Sequence, residues 1–145
     1  PASVPAAVPL ENYELPALCW DYLDRMRQLC EEHGVRLVLI KAPSLYPHWY
    51  DEWDAQVTEY AERHGLNYYN LLKISDDIGI DWSCDTYDMG LHLNVDGAEK
   101  LSAYFGGVLR EECGVTDRRS DDAYASRWDA ISRSYYNEKE SRKNK

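Results

Sequence analysis

The sequence lacks the features that would place the chain in a membrane, on nucleic acid or in the secretory pathway. It contains no run of roughly 18 apolar residues, so no segment is expected to span a membrane. The 16 Lys and Arg residues are outnumbered by 26 Asp and Glu residues, and the net charge of −10 argues against nucleic acid, which binds clustered basic side chains. No basic segment precedes an apolar stretch, so no secretory signal is expected.

Metal-binding motifs are missing as well. The four cysteines form no Cys-x-x-Cys pair, which is the spacing typical of structural zinc sites. We therefore expect no metal ion, and nothing in the sequence indicates another cofactor.

Enough apolar material is present for one small domain. Of the 145 residues, 44% are hydrophobic and five are Trp, and a chain of this length fits a single core. We expect an extended lead or linker over residues 1–14, an α/β domain over 15–116, and a C-terminal helix with a frayed polar tail over 117–145. The apolar residues of that helix predict a stripe that packs on the domain or docks a partner: Tyr124, Trp128, Ile131 and Tyr135.

Helical and strand patterns alternate along the domain. Apolar residues recur at helical spacing over residues 15–30 and 49–61, and each pattern is followed by a glycine that can end a helix, Gly34 and Gly65. Short apolar runs at residues 35–40 and 66–72 predict strands, the first of them buried on both faces. This order predicts two adjacent parallel strands with helices on both faces, which is a three-layer α/β sandwich of the flavodoxin-like type.

Residues 85–101 are the most informative about function. They place His92 in a polar loop just ahead of a helix-start signal, with Asp85 and Asp88 upstream. An aspartate within reach of such a histidine can fix its tautomer and stabilise its protonated form. The same spacing also fits a histidine that only hydrogen-bonds its own loop.

The helix that follows His92 has a recognisable start. Asn94 and Asp96 both offer N-cap side chains, and Glu99 lies three residues after Asp96, as in a capping box. We therefore expect a rigid helix that begins here and ends near Gly114, so that the histidine is displayed from a well-supported loop.

The segment Asp88-x-x-x-His92-Leu-Asn-x-x-Gly97-Ala-x-Lys100 resembles the last conserved block of the SGNH/GDSL hydrolases. It is similar in particular to the bacterial cell-surface branch related to alginate and teichoic-acid acyl-transfer proteins. Residues 29–43 and 49–70 resemble, in the same order, that family's helix, strand and proline loop and the helix and strand that follow. The resemblance covers roughly residues 15 to 119 and implies an SGNH-like sheet that is incomplete, at the bacterial cell surface or another extracytoplasmic location.

The resemblance implies a serine esterase or O-acyltransferase that acts on an acylated carbohydrate or cell-envelope polymer. His92 would be the general base, oriented by Asp88 or Asp85; both remain open because the family's usual aspartate position is Met89 here. The family's nucleophilic serine lies in a Gly-Asp-Ser-like block, and this sequence contains neither that block nor Gly-x-Ser-x-Gly. The resemblance therefore places the nucleophile outside this sequence, and Ser44 is the alternative within it.

The loop after the first predicted strand supplies further candidates. In open parallel sheets, ligands bind beyond the carboxyl ends of the strands, so residues 41–49 and the His92 loop could share one edge. Ser44, Tyr46, Trp49 and Asn94 are candidate substrate-binding residues, since aromatic side chains beside polar groups suit a sugar or acyl ligand. Tyr46 and Trp49 fit equally well as residues that cap the core.

Two functions from different classes fit these observations. One is the acid–base half of a serine esterase or acyltransferase, and the other is a noncatalytic binding or interaction module that keeps the α/β fold. An incomplete sheet would leave an edge or a face exposed. Such a surface would favour self-association or docking to a missing N-terminal half.

Overall fold

A computed structural model describes residues 4–143, and within them the chain forms five helices and two strands. In chain order these are α1 (Ala17–Glu32), β1 (Val38–Lys41), α2 (Asp51–His64), β2 (Asn67–Asn70), α3 (Ser75–Ile78), α4 (Val95–Glu111) and α5 (Asp122–Lys143). The chain is therefore of the mixed α/β class, as predicted. It divides into two compact units, one ending at Ala103 and the other beginning at Tyr104.

β1 and β2 form a two-stranded parallel sheet. Val38 pairs with Asn67 at one end and Lys41 with Asn70 at the other, so the predicted parallel pairing is confirmed. Both strands are shorter than predicted. The expectation that the first strand is buried on both faces is wrong, because Ile40 is 50% exposed. In the described part of the chain, α2 packs against β2 and the surface of β1 is only partly covered.

α2 follows the amphipathic pattern of the sequence. Its inward side carries Tyr60 and Ala61, which are both buried. The helix ends where Gly65 takes a left-handed φ of 63°, a conformation that a glycine adopts without steric cost. The Leu66 amide then donates to the Ala61 carbonyl at 2.8 Å and closes the last turn. The helix end predicted at Gly65 is confirmed.

The segment after β2 contributes to the core, which the sequence did not predict. It begins with the short helix α3, after which Gly79 turns the chain with a φ of 80°. Ile78 and Ile80 on either side of this turn are buried, 8% and 5% exposed. These two isoleucines stand among aspartates without a helical or strand periodicity, so the sequence pattern could not predict that they are buried.

The described part of the lead ahead of α1 has no helix or strand and is held against α2 by hydrogen bonds. The Leu15 amide donates to Oε1 of Gln56 at 2.9 Å, and the Gln56 side-chain amide donates to the Tyr13 carbonyl at 2.8 Å. Farther upstream, the Tyr50 hydroxyl donates to the Val8 carbonyl at 2.5 Å. Side chains of α2 and its N-terminal flank therefore fix a segment that has no helix or strand of its own.

α5 lies in the second unit and spans 22 residues. It continues to Lys143, so the described part of the expected polar tail is helical, and residues 144–145 lie outside the described part. The predicted stripe is present, and its side chains are between 42% and 56% exposed: Tyr124, Trp128, Ile131 and Tyr135. Over residues 4–143, no helix is both long and apolar enough to cross a membrane.

Asp54, near the start of α2, holds this helix to β2. Its buried carboxylate accepts hydrogen bonds from Tyr68 and Asn70, each at 2.6 Å, and forms an ion pair with Lys73 at 2.9 Å. Burial disfavours the charge of Asp54, but these partners outweigh the burial and hold the pKa of Asp54 at about 2. A charged, fully partnered carboxylate thus joins the helix to the sheet.

Asp54→Ala should lower the free energy of unfolding by about 2–4 kcal/mol, because four side chains, one of them the indole of Trp49, would lose a shared acceptor. Urea titration measures this change. Asp51→Ala is the matched control, since Asp51 also bonds Lys73 at 2.9 Å but its side chain is 86% exposed. The control should change stability by no more than about 0.5 kcal/mol, and equal losses in the two variants would contradict this role of Asp54.

The same carboxylate predicts an acid-sensitive stability. The folded-state pKa of Asp54, about 2, lies below the ordinary value of 3.8. The charge therefore stabilises the fold above about pH 4, and this stabilisation is lost as the pH falls toward 2. Urea titrations across this range should show a steeper loss in the unmodified protein than in Asp54→Asn. Parallel curves for the two proteins would count against the assignment.

Candidate active site

The loop after β1 and the loop that carries His92 are joined by a backbone hydrogen bond. The Leu45 amide donates to the Gly90 carbonyl at 2.7 Å. Gly90 has a φ of 94°, and a Cβ at this position would lie 2.9 Å from Cδ1 of Leu45, so the junction requires glycine. The structure thus brings together the two loops in which site residues were predicted.

His92 lies in a turn that a backbone bridge between Thr86 and Leu93 closes. Within this turn Met89 has a φ of 62°, which is uncommon for a residue with a side chain. The left-handed residue reverses the chain between Asp88 and His92. As a result, an aspartate four positions before the histidine reaches back to it.

Asp88 binds both the backbone and the ring of His92. Its Oδ1 accepts a hydrogen bond from the His92 amide at 2.7 Å, and its Oδ2 lies 2.5 Å from Nδ1 of the imidazole. The ring of Tyr87 stacks on the imidazole with a centroid distance of 5.8 Å and an interplanar angle of 6°. The His92 side chain is 60% exposed, and no residue in the described part of the chain hydrogen-bonds its Nε2.

This geometry favours one tautomer of the imidazole. Burial of Asp88 disfavours its charge, but the hydrogen bonds from the His92 side chain and backbone outweigh the burial and hold the pKa of Asp88 below its ordinary value. An ionised carboxylate only accepts hydrogen bonds, so Nδ1 of His92 is the nitrogen that donates to Asp88, and in the neutral form of this tautomer Nε2 presents a lone pair. Such a pair can take up a proton at Nε2 while the carboxylate stabilises the imidazolium.

Asp85, the other aspartate offered by the sequence, does not bind His92. It is 2% exposed, and its Oδ2 accepts from Nζ of Lys100 at 2.6 Å and from the Asp81 amide at 2.7 Å. Its backbone carbonyl accepts from the Asn94 amide at 2.8 Å. Asp85 therefore anchors the loop to the beginning of α4, and the structure leaves Asp88 as the partner of His92.

The side chain of Asn94 caps α4. Its Oδ1 accepts from the Gly97 amide at 3.1 Å, and its Nδ2 donates to the Cys84 carbonyl at 2.6 Å. Asp96 lies inside the first turn of the helix, so the capping box expected at residues 96–99 is wrong. Both ends of the Asn94 amide are engaged within the fold, which makes its role here structural.

The remaining candidates lie in the loop after β1. Ser44 Oγ accepts a hydrogen bond from Nζ of Lys41 at 2.9 Å. The indole of Trp49 donates to Asp54 at 3.4 Å, so this residue packs within the fold. Tyr46 is 47% exposed, and it is the aromatic residue that the loop presents to solvent.

Sequence reasoning missed two lysines of this region, Lys41 and Lys100. Lys100 lies in the second turn of α4, and no local pattern in the sequence connects it to Asp85, fifteen positions earlier. Lys41 is the last residue of an otherwise apolar strand, where a polar side chain meets the ligand-binding edge of a parallel sheet.

Comparison with models of protein families, with curated proteins and with solved structures finds no match for this chain. In residues 4–143, no cluster of three or more His, Cys, Asp or Glu side chains could hold a metal ion. The Asp88–His92 pair lies at the centre of the candidate site.

The tautomer of His92 can be measured directly in the isolated chain. Proton–nitrogen correlations of the imidazole should show a neutral ring protonated at Nδ1, because Asp88 accepts from that atom. Asp88→Asn should remove this preference, whereas Asp85→Asn should keep it. An Nε2-protonated ring in the unmodified protein would exclude the proposed hydrogen bond.

The contact between α4 and the Asp85 loop can be tested at Gly97. A Cβ added here would lie 2.5 Å from the Asp85 carbonyl oxygen, so Gly97→Ala should destabilise the protein by about 1–3 kcal/mol. Gly106 in the same helix is the control: nothing lies within 4 Å of an added Cβ, and Gly106→Ala should stabilise by about 0.5–1 kcal/mol. Urea titration compares the two, and similar changes in both variants would contradict the contact.

Proposed function

We propose that the chain carries the acid–base pair of an SGNH-like serine esterase or O-acyltransferase. One observation carries this proposal: Asp88 lies 2.5 Å from Nδ1 of His92, and the imidazole is exposed with its Nε2 unbonded within the described residues. This is the arrangement by which a histidine removes a proton from a hydroxyl nucleophile. The resemblance of residues 88–100 to the last SGNH/GDSL block supports the same role.

In the proposed reaction, Nε2 of His92 takes the proton of a serine hydroxyl as the serine oxygen attacks the ester carbonyl. Asp88 stabilises the imidazolium, which then returns the proton to the leaving alcohol. Water hydrolyses the resulting acyl-enzyme in an esterase, and an acceptor hydroxyl takes the acyl group in a transferase. The resemblance implies that the serine comes from a Gly-Asp-Ser-like block outside this sequence.

The finer fold belongs to the same proposal, a three-layer α/β sandwich that a further segment completes. Within the described residues, β1 has a strand on one side only, and α1 displays an apolar stripe. The side chains of this stripe are between 49% and 62% exposed: Leu18, Tyr22, Met26 and Leu29. An unpaired edge and an apolar face are surfaces that such a segment would cover, and uncovered they favour self-association.

The proposed substrate is an acylated carbohydrate or cell-envelope polymer, as the resemblance implies. Tyr46 is 47% exposed in the loop that is hydrogen-bonded to the His92 loop. An exposed aromatic ring beside polar groups suits the apolar face of a sugar. The bacterial cell surface is the location that this substrate class implies.

A noncatalytic binding module is the second candidate, and a specific observation favours it. Two of the predicted substrate-binding residues, Trp49 and Asn94, hydrogen-bond within the fold, to Asp54 and to the Cys84 carbonyl. A binding module needs these structural contacts but no proton transfer by His92. Ester turnover therefore separates the two candidates.

In a longer protein that contains the serine block, His92→Ala should lower kcat for p-nitrophenyl acetate by about 10²–10⁴-fold, because the general base is lost. Asp88→Asn should lower kcat by as much or less, and Asp85→Asn should lower it least, since Asp85 does not contact His92. The 145-residue chain alone should show no His92-dependent turnover.

Stability provides the control for these variants. Asp85→Asn should destabilise the protein more than Asp88→Asn, because the Asp85 side chain is 3% exposed and that of Asp88 is 29% exposed. Of these two variants, Asp85→Asn should therefore have the smaller effect on activity and the larger effect on stability. Full activity of His92→Ala in the longer protein would overturn the catalytic proposal and favour the binding module.

A further inference from the structure

The chemistry proposed for His92 leaves one pair of reactive side chains unused. Lys41 ends β1 and Ser44 lies three residues later, so both belong to the turn that leaves the sheet. Nζ of Lys41 lies 2.9 Å from Ser44 Oγ. A hydroxyl within hydrogen-bond reach of an amine is the geometry of a nucleophile and its base.

A third group orients this base. The Lys41 ammonium donates to the Ala42 carbonyl at 2.5 Å, and it lies 5.7 Å from the centroid of the Trp49 ring. The carbonyl holds Nζ in place beside the hydroxyl, and the ring covers one side of it. Burial lowers the pKa of Lys41, which increases the fraction of neutral amine available to accept a proton.

The pair is also accessible and close to the loop of His92. Ser44 is half-buried, so a small ester can reach its hydroxyl. The next residue, Leu45, donates its amide to the Gly90 carbonyl at 2.7 Å, two residues before His92. An acyl group on Ser44 would therefore lie next to the loop that carries the Asp88–His92 pair.

We propose that Ser44 is an acyl-accepting nucleophile that Lys41 activates. The neutral amine of Lys41 takes the hydroxyl proton as Ser44 Oγ attacks the carbonyl carbon of an activated ester. A new bond forms between Oγ and the acyl carbon, the bond to the leaving oxygen breaks, and the leaving group departs as its anion while Lys41 remains as the ammonium. This reaction goes beyond the function proposed for His92 and does not require it.

The test mixes the full 145-residue chain with p-nitrophenyl acetate and records the release of p-nitrophenolate. A burst of about one equivalent per chain is expected, since each Ser44 accepts one acetyl group. Peptide mass spectrometry should locate the acetyl group on Ser44, and hydroxylamine should remove it, because it is an ester and not an amide.

Three variants assign the roles. Ser44→Ala should abolish the burst, and Lys41→Met should slow it by about 10²–10⁴-fold through loss of the base. Ser83→Ala is the matched control, because the Ser83 hydroxyl donates to a carboxylate, that of Asp81 at 2.6 Å, and has no amine base; its burst should be unchanged. Circular dichroism of each variant checks that the fold is retained.

The other outcomes overturn the proposal in distinguishable ways. Absence of a burst, or a hydroxylamine-resistant acetyl group on Lys41 itself, would show that Ser44 is not the nucleophile. A burst that Lys41→Met retains and His92→Ala loses would show that Lys41 is not the base and would support His92 in that role. A burst that His92→Ala retains and Lys41→Met loses supports the present inference and leaves the function proposed for His92 to its own test in the longer protein.

Discussion

The carboxylate of Asp85 is almost completely buried, and it accepts hydrogen bonds from Nζ of Lys100 in α4 and from the Asp81 amide. A buried charge is stable only with such partners, because it has lost its hydration. The Asp85 carbonyl also binds the Asn94 amide at the start of α4. A single residue therefore links the two ends of the turn that contains His92, while Asp88 within the turn holds the imidazole itself.

Three aspartates of this protein differ in how deeply they are buried, and their roles differ accordingly. Asp54 and Asp85 are buried and are surrounded by donors, so their charges join elements of the fold. Asp88 has a side chain that is 29% exposed, and its partner His92 is 60% exposed. Only the last of these carboxylates holds an imidazole, and for this reason the proposed acid–base chemistry is assigned to Asp88 and His92.

Periodic and local features of the fold were predictable from the sequence. α2 ends at Gly65 as predicted, because a left-handed cap depends on the residue at that position alone. The parallel pairing of β1 and β2 also follows from a helix between two short apolar runs. α3 and the burial of Ile78 were missed, since they depend on contacts that leave no repeat in the sequence.

The sequence by itself determined the α/β class, the end of α2 and the position of His92 in a loop ahead of α4. It offered two aspartates as partners of the histidine and could not separate them, because spacing along a loop does not determine where a side chain points. The tertiary structure decided between them. Lys100, which lies fifteen positions after Asp85, donates a hydrogen bond to the buried Asp85 carboxylate. The left-handed conformation of Met89 turns the chain so that Asp88 contacts the imidazole of His92.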